Sequence, residues 1–191
     1  MFRTLPFAVI VVLAFSNPTA ITSGHPNESL ELSNVLPTDQ LNDFLVDLAF
    51  YESRNRYTVV NQYGYMGKYQ FGMTTLRGLG YDISRKEFLN SPLLQEEAML
   101  RLLDHNRGIL VNYIDKYEGK YVHGVKITES GLLAAAHLVG PSKVKRFLYT
   151  GKITADGNNT PLTRYLTTFE GYKLDTLSFE SRLPYLVAAL E

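Results

Sequence analysis

Leu41-Asn42-Asp43-Phe44-Leu45-Val46-Asp47-Leu48-Ala49-Phe50-Tyr51-Glu52-Ser53 carries the pattern that decides the fold. Leu41, Phe44, Leu45, Leu48 and Ala49 recur at the spacing of one apolar stripe on an α-helix, the stripe such a helix turns toward a core. Glu52 continues the phase of that stripe and so falls on the same face. Thr38 or Asp39 can cap the start of the helix, which is expected to end near Glu52. Partial burial and the negative C-terminal end of a helix both favour the protonated form of a carboxyl, the form a general acid must hold.

The stretch that follows, Ser53 to Gly72, holds four tyrosines and three glycines and has no helical period, so it reads as a structured loop. Beyond it the capping signals are dense. A short helix is expected near Thr75 to Leu79, closed by Gly80, and Ser84 with Glu87 has the spacing of a capping box for another. Ser91-Pro92 opens the longest helix, whose apolar positions from Leu94 to Tyr117 keep a helical period to Gly119, with a bend expected at Arg107-Gly108. Its length marks it as the central helix. Lys120 to Ile127 alternates weakly around His123-Gly124, the pattern of one short β-hairpin. Thr128 caps a helix that stops at Gly140-Pro141, and Ser142 is expected to cap another that stops at Gly151. Ala155 to Asn159 is a turn-rich loop, Thr160-Pro161 opens a helix through Phe169, and Leu183 to Leu190 can form a last one. The fold class is therefore mainly α: a globular helical domain with one short β-hairpin.

Composition bounds the rest. The 45% apolar and 20% charged content is that of a globular chain and not of a disordered or fibrous one. Lys+Arg 19 balance Asp+Glu 19, and no basic run is present, so the electrostatic footprint of a nucleic-acid binder is missing. Arg3 followed by an uncharged run from Leu5 to Phe15 and the small, turn-forming Ser16-Asn17-Pro18-Thr19-Ala20 has the layout of a secretory signal peptide over residues 1–20, with cleavage after Ser16 or Ala20. That run of about a dozen residues is short of the roughly 20 needed to span a bilayer, so no permanent membrane span is expected and export is. Residues 21–37 read as a flexible mature N-terminal tail and 38–191 as the domain. Cysteine is absent, which removes disulfides, a thiol nucleophile and thiolate metal sites. His25, His105, His123 and His137 are scattered and no metal-binding or phosphate-binding motif occurs, so neither a metal nor a cofactor is expected.

Three ordered segments are more specific than any one of them. These are Tyr51-Glu52-Ser53, then Asn61-Gln62-Tyr63-Gly64-Tyr65-Met66-Gly67-Lys68-Tyr69-Gln70-Phe71-Gly72, and later Gly131-Leu132-Leu133-Ala134-Ala135-Ala136-His137. Together, over about Asp39 to Tyr172, they resemble the lysozyme-like superfamily and within it the lytic transglycosylases, which cut the glycan strands of peptidoglycan. In that family a Glu-Ser pair ends a helix, a Gly-x-x-Gln-type segment lines the groove, an Ala-Ala-Tyr-Asn-like segment sits on a later helix, and a Thr-x-x-Tyr-like segment closes the site. The first two match well. Ala135-Ala136-His137 departs from the third, and the fourth is suggested only by Thr163-Arg164-Tyr165.

The resemblance implies a lysozyme-like fold, with Glu52 as the single acid and base and peptidoglycan glycan strands as the partner in the periplasm or wall zone. It puts Ser53, Tyr63, Tyr65, Gly67, Tyr69, Gln70, His137 and Tyr165 around the substrate. Each has a second reading. Ser53 can bond substrate, position Glu52 or simply end the helix. Gln70 can donate and accept at once, which suits a sugar amide or hydroxyl, or it can bond loop backbone. Tyr57, Tyr63, Tyr65 and Tyr69 can stack on sugar faces, with one or two of them expected in the core. His137 borders an apolar face and reads as a packed histidine or a groove residue, and Tyr165 as a site residue or helix packing. No second carboxylate stands out: Asp47 is out of phase with Glu52, and Glu129 belongs to the first turn of its helix. The rivals are a hydrolytic lysozyme on the same scaffold and a non-catalytic peptidoglycan-binding module.

Overall fold

A computed structural model describes residues 40–174 of the chain. The expected signal peptide, the tail, the Thr38 or Asp39 cap and the C-terminal helix lie outside those residues. Among them are seven α-helices and one two-stranded antiparallel sheet, a mainly α fold with a short hairpin.

Helix α1, Gln40–Ser53, buries the stripe read from sequence: Leu41, Phe44, Leu45, Leu48 and Ala49 are all inside. It ends sharply. Arg54 and Asn55 both take φ of 60°, and while Arg54 N–H still bonds the Phe50 carbonyl, Asn55 N–H reaches back to the Ala49 carbonyl, so the helix end is closed by two left-handed residues without glycine. Short helices α2 (Met73–Gly78) and α3 (Arg85–Leu89) follow, the latter with the full reciprocal capping box of Ser84 and Glu87. Helix α4, Pro92–Tyr117, starts on the Ser91 hydroxyl with Pro92 in its first turn and runs helical through Arg107-Gly108 without a break. Strands β1 (Tyr121–Val122) and β2 (Val125–Lys126) pair Tyr121 with Lys126 and Val122 with Val125. Their turn residues His123 and Gly124 both have positive φ, as a two-residue type I′ turn requires.

The centre of the fold is α5, Glu129–Val139, and not the longer α4. Every residue from Ser130 to Ala136 is buried, and the helix packs on α4, on α6 (Pro141–Thr150) and on α7 (Leu162–Thr168). Small residues explain the choice: a Cβ on Gly131 would sit 2.6 Å from the Leu166 carbonyl, so glycine there lets α7 come against α5. A helix apolar all round belongs in the interior, whereas α4 keeps a solvated face. Helix α6 also begins two residues earlier than the sequence suggested. Gly140 occupies the cap position and Pro141 the first turn, so Ser142 is inside the helix and caps nothing. Gly151 closes α6 in the left-handed conformation, as read. No helix among the described residues is long and apolar enough to cross a membrane.

Candidate active site

The end of α1 delivers Glu52 to a junction with α5 and α7. The Glu52 side chain is 13% exposed, the His137 side chain 7%, and His137 Nε2 lies 3.6 Å from Glu52 Oε1. Tyr165 Oη donates a 2.6 Å hydrogen bond to the same oxygen. Tyr165 is held from behind: its ring meets Tyr51 edge-on at 5.3 Å and Phe169 at 5.3 Å, and Phe169 in turn packs on Phe44 of α1. Burial, and after it the charge and acceptor oxygen of Glu52, push the Tyr165 phenol far above the ordinary tyrosine range. It therefore stays a donor. With Oε1 so engaged, Oε2, which takes no hydrogen bond from the described residues, is the oxygen left to hold and deliver a proton.

The loop between α1 and α2 has no regular structure beyond isolated bridges of Val60 with Met66 and Met66 with Phe71. Its order comes from α4. Glu96, 5% exposed, accepts from Tyr57 Oη at 2.6 Å and from Tyr69 Oη at 2.7 Å, and it pairs with Lys68 Nζ at 2.7 Å. Next to it, Gln95 accepts from Lys68 N–H and donates to the carbonyls of Tyr57 and Phe88. A buried carboxylate with three donors is the arrangement that makes its burial tolerable.

Three residues expected to face substrate serve this scaffold. Tyr69 is fully buried with its hydroxyl on Glu96, so it cannot stack on a sugar. Ser53, 5% exposed, donates to the Lys68 carbonyl at 2.7 Å and accepts from Arg56 N–H, which ties the helix end to the loop. Gly67 has φ of 77°, and a Cβ there would lie 2.2 Å from Gln95 Oε1. Its role is to let the loop touch α4.

The other expected residues do come together. A cleft of about 210 Å³ has Glu52 and His137 at its base and Tyr63, Tyr65 and Gln70 on one wall. Tyr63 and Tyr65 are 50% and 47% exposed, enough ring surface to stack on a ligand. Gln70 sits at φ of 52°, with Nε2 donating to the Gly67 carbonyl at 2.9 Å, while its Oε1 takes no hydrogen bond from the described residues. A left-handed backbone at a residue other than glycine is a costly conformation, held here beside the cleft by the bond to Gly67. Asn61, not singled out from sequence, also lines the cleft and accepts the backbone N–H groups of Tyr63 and Tyr65.

The opposite wall is the loop before α7, which the sequence marked only as turn-rich. Ala155, Asp156, Gly157 and Asn158 line the cleft, and Tyr63 Oη donates to the Gly157 carbonyl at 2.8 Å across its mouth. Asp156 Oδ1 accepts from the N–H groups of Asn158 and Thr160. The two acids weighed from sequence lie elsewhere: Asp47 accepts from Tyr172 Oη, and Glu129 pairs with Arg107. One carboxyl is thus positioned by two buried partners, with a second at the cleft wall whose Oδ1 already folds its loop. Such a site can protonate a leaving oxygen and take a proton back, and its exposed phenols suit a polyhydroxylated ligand. Among the described residues no three His, Cys, Asp or Glu side chains gather as a metal site needs. No protein-family model matches the chain, and no curated protein or solved structure gives a significant match to it.

Proposed function

We propose that this chain is a peptidoglycan lytic transglycosylase of lysozyme-like fold, cutting between N-acetylmuramic acid and N-acetylglucosamine with Glu52 as its only acid and base. The observation that carries the reading is Glu52 itself: a largely buried carboxyl at a helix end, fixed by Tyr165 and facing a tyrosine-walled cleft. In this mechanism Glu52 gives its proton from Oε2 to the glycosidic oxygen and the bond from that oxygen to the anomeric carbon breaks. The acetamido oxygen of the same muramic acid shares the positive charge that develops. Glu52, now a carboxylate, takes the proton of the 6-hydroxyl, whose oxygen attacks the anomeric carbon and leaves a 1,6-anhydro end. No water is consumed and Glu52 returns protonated.

A second reading has its own observation. Asp156 stands in the same cleft as Glu52, and two carboxyl groups flanking one bond are what hydrolytic glycosidases use. Under that reading water replaces the 6-hydroxyl, and the protein is a muramidase. With either outcome, residues 1–20 are proposed to direct export to the compartment where peptidoglycan lies.

Mass spectrometry of fragments released from purified peptidoglycan by the protein and by Glu52→Gln, run in parallel, tests both. Products one water lighter than hydrolysed fragments, absent with Glu52→Gln, support the transglycosylase. Reducing ends support the muramidase. Release by neither protein across a range of pH overturns both and leaves a binding module.

A further inference from the structure

The Glu52 cleft continues past His137. A second cavity of about 420 Å³ shares Tyr65, His137, Leu138, Val139 and Lys143 with it, so the two open on a common rim. Their charge differs. Lys143 and His137 line both, but the first also contains Glu52 and Asp156, whereas the second adds His105 and has no Asp or Glu. The Lys143 ammonium stands exposed at that rim with no ion pair or hydrogen bond among the described residues. Deeper in, Asn106 is 1% exposed and its Nδ2 has no hydrogen-bond partner. Buried amide nitrogens are nearly always bonded, so an unpaired one in a cavity wall is a donor open to an acceptor that enters the cavity. Leu79, Leu102, Ala136 and Pro141 supply apolar surface between these groups.

A free cation at the mouth, an unpaired amide at the wall and apolar surface between them match a peptide with a carboxylate: carbonyls, small aliphatic side chains and one negative charge. We propose that the second cavity binds the anionic peptide substituent of the substrate, with Lys143 taking its carboxylate and Asn106 a peptide carbonyl. This inference rests on the peptidoglycan reading, in which muramic acid carries a peptide through its lactyl group. The branch then leaves from C3 of the same sugar whose anomeric bond Glu52 cuts, and a cavity joined to the Glu52 cleft is where it has room. The site thereby selects peptide-bearing strands over bare glycan.

The test compares initial rates on glycan strands with intact peptides and on strands stripped of them by an amidase, for the full chain and for Lys143→Gln. The wild-type protein is expected to favour the peptide-bearing strands, and Lys143→Gln to lower that preference by about tenfold, the worth of one charge-assisted contact. An equal preference in the two proteins, or wild-type cutting of both kinds of strand at the same rate, overturns the proposal. In parallel, the Glu52→Gln protein with and without Lys143→Gln is titrated calorimetrically with N-acetylglucosaminyl-muramyl dipeptide and with the bare disaccharide. Weaker binding of the dipeptide form alone in the Lys143 variant supports the cavity assignment even where wild type cuts neither strand, a result that would instead sink the catalytic reading. Dipeptide binding that Lys143→Gln leaves unchanged sinks the cavity assignment.

Discussion

Tyr165 Oη and Glu52 Oε1, 113 residues apart in sequence, are joined by a 2.6 Å hydrogen bond. The bond fixes which carboxyl oxygen is engaged and leaves the other for proton transfer. Tyr165→Phe keeps the ring packing on Tyr51 and Phe169 and removes only this donor. The expected result is a fall in kcat of about 10- to 100-fold with KM little changed, and a stability loss of about 1 kcal/mol. Steady-state fragment release together with a urea titration measures both. An unaltered kcat would mean that Tyr165 only packs.

Glu96 is the residue on which the substrate-facing loop depends. Glu96→Ala strands the buried hydroxyl of Tyr69, the half-buried hydroxyl of Tyr57 and the ammonium of Lys68, so a loss of about 3–5 kcal/mol is expected. Activity should fall with it even below the unfolding transition, because the same loop carries Tyr63, Tyr65 and Gln70. Equilibrium unfolding in urea gives the first number, and a loss under 1 kcal/mol would contradict the role assigned to the network.

Gly67 meets α4 at the closest approach of the loop. Gly67→Ala combines left-handed backbone strain with a methyl 2.2 Å from Gln95 Oε1. Strain alone costs about 1–2 kcal/mol, and displacing Gln95 unpairs the Lys68 N–H as well, so the thermal midpoint should drop by several degrees. A midpoint within a degree of wild type would show that the loop accommodates the methyl.

The parts of this fold that were legible in sequence are those set by neighbours a few residues away. Ser84 with Glu87, Ser91-Pro92, Thr128 and Gly151 mark helix ends because a cap is a local hydrogen bond. The α1 stripe is legible because helical phase is periodic. Glu96 was not, since a glutamate on a helix reads as surface and its three donors come from a loop 27 to 39 residues earlier. Tyr69 failed for the same reason: nothing in the run of tyrosines separates Tyr57 and Tyr69, which bond Glu96, from Tyr63 and Tyr65, which face the cleft. Ser142 lost the cap of α6 to Gly140 because Pro141 is pre-set for a first turn and draws the start forward. Asp156 stayed hidden until Tyr63 bound the Gly157 carbonyl and brought that loop to the cleft.

Alkaline pH should unfold the protein earlier than its net charge suggests. Burial and then Glu96 raise the phenol of Tyr69 well above the ordinary value near 10, burial and its Glu96 bond raise Tyr57, burial and Glu52 raise Tyr165, and the bond to Asp47 followed by burial raises Tyr172 to about 12. A raised folded value means the native state keeps protons that the unfolded chain releases. The contribution is complete below about pH 10 and is lost as pH climbs through that value toward the folded ones. The urea midpoint is expected to hold from pH 8 to pH 9.5 and then fall, less steeply in Tyr172→Phe. A midpoint flat to pH 11.5 would contradict these environments.

Asp156→Asn separates the two chemistries open to the cleft. Asp156 Oδ1 already accepts from Asn158 and Thr160, and an asparagine oxygen can keep both bonds, so the loop should stay folded while the charge goes. If O6 of the sugar is the nucleophile and Glu52 the only base, Asn at this position should leave fragment release within a few-fold of wild type, with every product still one water lighter. If water is the nucleophile, removing the base that activates it should cost about 100- to 10,000-fold, with reducing ends as the only products at any rate. Rate and product mass from one digestion therefore answer together. A large loss of rate with anhydro products would contradict both expectations and move Asp156 to a role in holding the sugar.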